Sequence, residues 1–243
     1  MGGVVALRLG YHWLFVIDAL TSFGAAIMLY YYLPKQQTER NRHKNTVLKD
    51  HSTSAYRDIR YLFFILLVAL YGIGFFQIFA TIPQYFNRVC NYNEEVIGLL
   101  LALNGLLVVV IEMPLMAVLQ KRKNIFSFII TGALFIAFAL GILKFGHGLI
   151  LWSVMYIVII TASEIFAMPF MMNFSLSRPL KERQGQYSAL YSISFGIATF
   201  AAPSLGLGLA GKYGFDSTFD FFIVLSLAVA IGFWLLNRTA EIK

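Results

Sequence analysis

This 243-residue sequence has few of the residues that build a disulfide, a metal site or a catalytic centre. Its one cysteine, Cys90, cannot form an internal disulfide. Its four histidines form no Cys/His cluster with zinc spacing, and no glycine-rich phosphate loop with a lysine follows a strand. Charged residues are only 13% of the chain and apolar residues 59%, which is outside the usual range of soluble proteins. We therefore expect neither an enzyme nor a protein with a resident metal or cofactor.

Long apolar runs fill most of the chain, and their lengths predict transmembrane helices. A helix rises ~1.5 Å per residue, so roughly 20 apolar residues cross a ~30 Å hydrocarbon core. The strict alternation of a membrane β-strand is absent, and in lipid a helix pairs all of its backbone groups within one segment. The predicted fold class is an all-α polytopic membrane protein with seven full spans, at residues 13–33, 61–82, 96–119, 125–143, 149–172, 187–210 and 219–236.

The basic residues lie mostly on alternate connections between these runs. Lysine and arginine concentrate in residues 34–60, 120–124, 173–186 and the C-terminal tail. Because cytoplasmic connections collect these residues, this set and the C-terminus are expected to face the cytoplasm. The same sorting explains the net charge of +7 without a nucleic-acid partner. The sequence thus predicts a multi-pass protein of the inner or plasma membrane.

The beginning of the chain resembles its end. At an offset of 204 residues Gly10 aligns with Gly214 and Arg8 with Lys212, at a turn that should face outside in both copies. Parallel repeats of this kind are an architecture of secondary transporters. Residues 1–10 are apolar but too few to cross a bilayer. We therefore expect the chain to be the C-terminal portion, or a fragment, of a longer transporter.

Several segments resemble the major facilitator superfamily, whose members have twelve spans in two six-helix halves. Residues 97–105 (IGLLLALNG) resemble the eighth helix of the proton-coupled drug exporters in that family. Glu164 with Pro169 resembles a pattern on the tenth helix, and residues 183–187 (RQGQY) resemble the loop that enters the eleventh.

The antiporter motif of that family has two possible counterparts here. Gly2 and Gly3 resemble its last glycines on the fifth helix, and Pro203 with Gly206 resembles its equivalent on the eleventh, where proline would bend the helix. The connection 120–124 (QKRKN) has the basic charge of the family's loop motif but lacks its Gly and Asp.

The resemblance implies a domain organisation and a mechanism. Residues 1–33 would be one and a half helices of the N-terminal half, 34–60 the central cytoplasmic loop and 61–243 the six-helix C-terminal bundle. The implied function is proton-coupled efflux of small molecules, by rocking of two halves about a midplane site. A chain lacking most of one half should not transport alone. The sequence leaves two alternatives open: an uptake symporter for sugars, peptides or other metabolites, and a non-transporting membrane scaffold or assembly partner.

Two acidic residues lie inside predicted spans. Glu112 and Glu164 are both ~23 Å from the outer end of their helices, at matching depth. A carboxylate in hydrocarbon costs several kcal/mol and usually has a function. Each is therefore a candidate for proton coupling or gating. The alternative is an acid near the inner surface that pairs with basic residues of the loops.

Polar residues near the midplane are candidates for a substrate cavity between the two halves. Counting along the spans selects Tyr71, Asn104, Tyr156 and Ser194, with Gln77 nearer the outside. Hydrogen bonding from helix to helix is the alternative role for each of them.

Overall fold

The computed structural model describes residues 11–32, 54–119, 124–146, 149–178 and 183–241. It divides into two compact units, Met1–Ser52 and Thr53–Lys243. The first unit contains the 22-residue helix α1 (Tyr11–Tyr32), whose described side chains are exposed. The glycines of the expected fifth-helix motif, Gly2 and Gly3, lie outside the described residues.

The second unit is a bundle of helices, and the described part of the chain contains no strand. Its elements are α2 (Ile59–Phe75), a 3-10 turn (Phe76–Phe79), α3 (Thr81–Arg88), α4 (Glu94–Leu119), α5 (Ile125–Phe145), α6 (Ile150–Ser177) and α7 (Gln184–Glu241). By length and composition, five helical stretches within this unit could cross a membrane. Helix α1 contributes only the shorter apolar stretch Ala19–Met28, so the count of seven spans stays a prediction.

Helix α7 consists of two arms, residues 184–213 and 215–241, which meet at Gly214. This residue has φ +82° and ψ 168°, a backbone conformation that residues with a Cβ rarely adopt. The sequence analysis placed a connection at residues 211–218, whereas the helix is interrupted only at this one glycine. With α7 divided in this way, the second unit has six long apolar helical segments.

The predicted span 61–82 is not one continuous helix. It is interrupted by the 3-10 turn Phe76–Phe79, just after the glycines Gly72 and Gly74. The side chain of Gln77 donates a hydrogen bond from Nε2 to the Ile73 carbonyl at 2.9 Å. The amide side chain therefore binds a backbone carbonyl of the last turn before the interruption, which stabilises the end of α2 within an apolar bundle.

Close packing of α5 on α6 depends on Gly132. A Cβ at this position would lie 2.6 Å from Ala167 Cβ and 2.9 Å from the Ser163 carbonyl oxygen. Ser163 donates a hydrogen bond from Oγ to the Gly132 carbonyl at 2.7 Å, and its hydroxyl also lies 2.9 Å from the hydroxyl of Tyr71. This network joins α2, α5 and α6. Helix α5 also packs against α7, whereas α4 packs mainly against α6.

Candidate functional site

Glu164 of α6 accepts a hydrogen bond from Asn104 of α4. Nδ2 of Asn104 lies 3.3 Å from Glu164 Oε2 and 2.9 Å from Thr161 Oγ1. Thr161 is one helical turn before Glu164, and its hydroxyl donates to the Ile157 carbonyl. Asn104 is 5% exposed, so its amide is held in place by these contacts. We call Asn104, Thr161 and Glu164 the Glu164 site. Its acid and its amide were predicted separately from the sequence, and the structure brings them together.

Two further predicted residues are neighbours of the Glu164 site. Glu112 on α4 is half-buried and close enough to Glu164 for their charges to interact. Tyr71 is buried, hydrogen-bonded to Ser163, and within electrostatic range of Glu164. Among the described residues, neither glutamate forms an ion pair.

An apolar cleft adjoins this site between α4 and α6. It has a volume of about 110 Å³ and shares Thr161 with the Glu164 site. Its other walls are the side chains of Leu107, Ile111, Leu115, Val158, Ala162, Ile165 and Phe166. A cleft of this volume holds a few water molecules or a small part of an apolar ligand.

The remaining cavity candidates do not converge on this cleft. Tyr156 is buried, and the edge of its ring meets Phe86 at a centroid distance of 6.4 Å. Ser194 is buried and donates from Oγ to the Tyr191 carbonyl of its own helix at 2.7 Å. In this conformation their contacts match the hydrogen-bonding and packing alternative more closely than a shared cavity.

Gln77 instead contacts the first arm of α7, at the segment where the sequence predicts a bend. Its Nε2 donates to the Ala202 carbonyl at 3.1 Å, and its Oε1 accepts a hydrogen bond from Thr81. Gly206 is buried directly against this pair: a Cβ there would lie 2.0 Å from Gln77 Oε1 and from Thr81 Oγ1. Pro203 is exposed on the same arm. The glutamine selected for the cavity and the glycine selected for the antiporter-like motif are thus in direct contact.

A polar cluster that the sequence did not predict lies at the opposite end of the bundle from Gln77. Arg178 donates from Nε and Nη2 to the two carboxylate oxygens of Asp58, at 2.7 and 2.9 Å. Tyr187 also donates to Asp58, and Tyr61 donates its backbone N–H. Burial raises the pKa of the Asp58 carboxyl, but these donors and the arginine charge outweigh it and hold the pKa below its usual value. The hydrogen bond with Asp58 raises the pKa of Arg178 above its usual value.

Side-chain hydroxyls extend this cluster across three helices. The Tyr61 hydroxyl lies 2.6 Å from Ser175 Oγ and 2.6 Å from the Tyr187 carbonyl oxygen. We call Asp58, Tyr61, Ser175, Arg178 and Tyr187 the Asp58 cluster. It ties the start of α2 to the end of α6 and the start of α7. The sequence signal was an aspartate directly before an apolar helix, which is a typical N-cap position.

A second ion pair ties the other end of the bundle, where Lys144 at the end of α5 pairs with Asp220 of α7. Among the residues that the structure describes, no group of three or more His, Cys, Asp or Glu could hold a metal ion.

A bundle of long apolar helices with a carboxylate site between two of them defines a multi-pass integral membrane protein. The family model described as Major Facilitator Superfamily matches residues 1–203, so the chain belongs to this family of membrane transporters. Membership in this family favours a non-enzymatic function. No curated protein and no solved structure matches the chain.

Proposed function

We propose that this chain is the C-terminal part of a proton-coupled secondary transporter that exports small molecules, and that Glu164 binds and releases the proton. The observation that carries the proposal is the hydrogen bond from Asn104 to the half-buried carboxyl group of Glu164. Carboxyl groups inside a membrane-spanning bundle are characteristic of proton relays.

Proton binding at Glu164 can be coupled to helix movement through this hydrogen bond. The carboxylate form only accepts hydrogen bonds, whereas the protonated form also donates one. Oε2 therefore changes its preferred partners when the proton arrives, and Asn104 on α4 responds. Glu112 of α4 is within electrostatic range of Glu164, so a change in the charge of Glu164 also alters the interaction between α4 and α6. Glu112 is accordingly the second coupling or gating residue of the proposal.

Most of the apolar surface of α4 is exposed, which is evidence for a second helix bundle that packs against this one. Only 11% of the apolar stretch of α4 is buried, against 44–61% of the corresponding stretches in the other four candidate spans. Gly98 and Gly105 are seven residues apart on this helix, and among the described residues nothing would lie within 4 Å of an added Cβ at either. Small residues on one side of a membrane helix allow another helix to approach closely. We propose that the N-terminal six-helix half occupies this face and that transport requires it.

In the proposed complete transporter, the substrate binds near the midplane between the two halves. Asn104 belongs to the Glu164 site and Tyr71 lies within electrostatic range of Glu164, so these two residues are the first choices to contact substrate. The proposed domains are the end of the N-terminal half (residues 1–33), the central cytoplasmic loop (residues 34–60) and the C-terminal bundle (residues 61–243). Gly206 and Gln77 form the contact at which the first arm of α7 moves against the 3-10 turn that follows α2.

The proposed orientation places the Asp58 cluster and the C-terminus at the cytoplasmic face of the inner or plasma membrane. Single cysteines in a Cys90→Ser background test it. Arg88→Cys should react with a membrane-impermeant maleimide from outside, and Lys181→Cys only after the membrane is opened. The reverse pattern would refute this orientation.

Solute-driven proton movement tests the function itself. We expect vesicles that contain this chain together with a separately expressed N-terminal half to move protons when a transported solute is added from a panel of lipophilic cations, sugars and peptides. Glu164→Gln should abolish the response, and the direction of proton flow separates export from uptake. Robust transport by residues 1–243 alone would contradict the need for a second half, and an unchanged response in Glu164→Gln would remove the proposed proton site.

A further inference from the structure

The hydroxyl group of Thr161 has two hydrogen-bond partners and only one hydrogen to donate. Its Oγ1 lies 2.6 Å from the carbonyl oxygen of Ile157, one turn earlier in α6, and 2.9 Å from Nδ2 of Asn104 in α4. A carbonyl oxygen can only accept a hydrogen bond, so the hydrogen of Thr161 is donated to Ile157. The hydroxyl oxygen is therefore the acceptor in the bond with Asn104.

This bond fixes the orientation of the Asn104 amide. Because Thr161 accepts, the amide nitrogen and not the amide oxygen faces it. The same nitrogen lies 3.3 Å from Oε2 of Glu164, so its two hydrogens serve Thr161 and Glu164. Asn104 is 5% exposed and Thr161 is 1% exposed, so water has little access to compete for these bonds. The amide oxygen is then the atom that is directed away from both partners.

The orientation of this amide decides which form of Glu164 it stabilises. An ionised carboxylate only accepts hydrogen bonds and matches the amide nitrogen, whereas a protonated carboxyl group also donates one and matches the amide oxygen. Rotation of the Asn104 amide by 180° would suit the protonated form. That rotation would also place the amide oxygen against Thr161, whose hydrogen is bound to Ile157, and leave two acceptors in contact. The Thr161 hydroxyl therefore opposes the rotation.

We propose that Thr161 is a positioning residue that holds the Asn104 amide as a donor and so favours the ionised form of Glu164. Without it, rotation of the amide would compensate locally for the arrival of the proton. With the amide held, protonation instead weakens the bond between α4 and α6, because a neutral carboxyl oxygen is a weaker acceptor than a carboxylate oxygen. This role rests on the proposed function of Glu164 and adds a residue that the function did not yet use.

Other titratable groups also face this part of α6. Those on the helices packed against it are Glu112 of α4, Tyr71 of α2 and Tyr191 of α7. The one titratable residue of α5 is Lys144, which pairs with Asp220 about 18 Å along the helix from Gly132. A substitution of Thr161 changes none of these groups, so it isolates the effect of the hydroxyl.

Infrared titration of the full chain in lipid tests the role of Thr161. The midpoint is measured on the carboxylic-acid carbonyl band that Glu164→Gln removes. We expect Thr161→Val, which replaces the hydroxyl with a methyl group, to raise this midpoint by about 0.5–1 pH unit. Thr161→Ser keeps a hydroxyl and should titrate like the wild type. Thr161→Ala removes the same hydroxyl and should shift the midpoint in the same direction, should Thr161→Val fail to fold.

A second background separates rotation of the amide from a general loss of polarity. A more apolar environment by itself disfavours a carboxylate, so Thr161→Val is also measured together with Asn104→Leu. We expect no further shift there, because no amide is left to rotate. An unchanged midpoint in Thr161→Val, or a shift of equal size with and without Asn104, would overturn the role of Thr161 and leave Glu164 as the proton site. Absence of a band that depends on Glu164 would instead remove the proton site, and the role of Thr161 with it.

Discussion

Arg178, directly after α6, binds both carboxylate oxygens of Asp58, which caps the start of α2. The two residues are 120 positions apart in the sequence. The side chain of Asp58 is 14% exposed and that of Arg178 is 29% exposed, so solvent screens the pair only in part. One carboxylate thus serves as a helix cap and as the ion-pair partner that joins two helices.

A double-mutant cycle should show strong coupling between these residues. Asp58→Ala loses the cap and the ion pair, so we expect it to lower the free energy of unfolding by about 2–4 kcal/mol. Arg178→Ala leaves the carboxylate without its main partner and should have an effect of similar size. Thermal unfolding in detergent measures the single and double variants. A coupling energy of about 1–3 kcal/mol is expected, and additive effects of the two substitutions would show that the pair does not stabilise the bundle.

Stability should decrease at acid pH because of Asp58. Its pKa is lowered in the folded protein, so its contribution is complete above the unfolded value of about 3.9 and disappears as pH falls through the folded value. The difference in melting temperature between the wild type and Asp58→Asn should therefore be constant near neutral pH and shrink below about pH 4. A difference that grows at low pH would contradict the assigned direction.

Gly132 and Gly141 provide a matched pair of substitutions in α5. An added Cβ at Gly132 meets the backbone oxygen of Ser163 at 2.9 Å, whereas at Gly141 nothing described lies within 4 Å. We expect Gly132→Ala to destabilise the protein by about 1–3 kcal/mol and Gly141→Ala to be neutral or slightly stabilising. Equal effects in thermal unfolding would show that α5 and α6 are not in close contact.

The contact between Gly206 and Gln77 should tolerate no added methyl group. Gly206→Ala places a Cβ 2.0 Å from Gln77 Oε1, so the amide has to leave its bonds to Ile73 and Ala202. We expect a loss of about 1–3 kcal/mol, and the double variant Gln77→Ala/Gly206→Ala should be less destabilised than the sum of its parts. Gly208→Ala, with open space around it, is the control and should not destabilise.

The helices were predictable from the sequence because lipid leaves the backbone few choices. Apolar length alone placed α5 and α6 within a few residues of their observed ends, since an unbonded backbone group in hydrocarbon is strongly unfavourable. Apolar length could not predict the 3-10 turn at Phe76–Phe79, because the apolar run continues through it. Gly214 was identified as part of a turn, but not as its only non-helical residue.

The acid and the amide of the candidate site were predictable from the sequence, but Thr161 and the contacts among the three residues were not. Depth along each span placed Asn104 and Glu164 inside the membrane, and rotation of each helix about its axis decides whether they meet. That rotation follows from packing between helices, for example at Gly132. Hydropathy does not encode such packing. The pair Asp58–Arg178 was missed because its members belong to connections that the charge analysis treated as one basic set.

Infrared spectroscopy of the protonated carboxyl group tests the central claim most directly, because it needs no substrate. Difference spectra of residues 1–243 in lipid are recorded while the pH is varied. The account predicts a carboxylic-acid carbonyl band that titrates in the wild type, is absent in Glu164→Gln, and changes frequency when Asn104→Ala removes the hydrogen bond. If wild type and Glu164→Gln give the same titrating band, then Glu164 does not carry the proton.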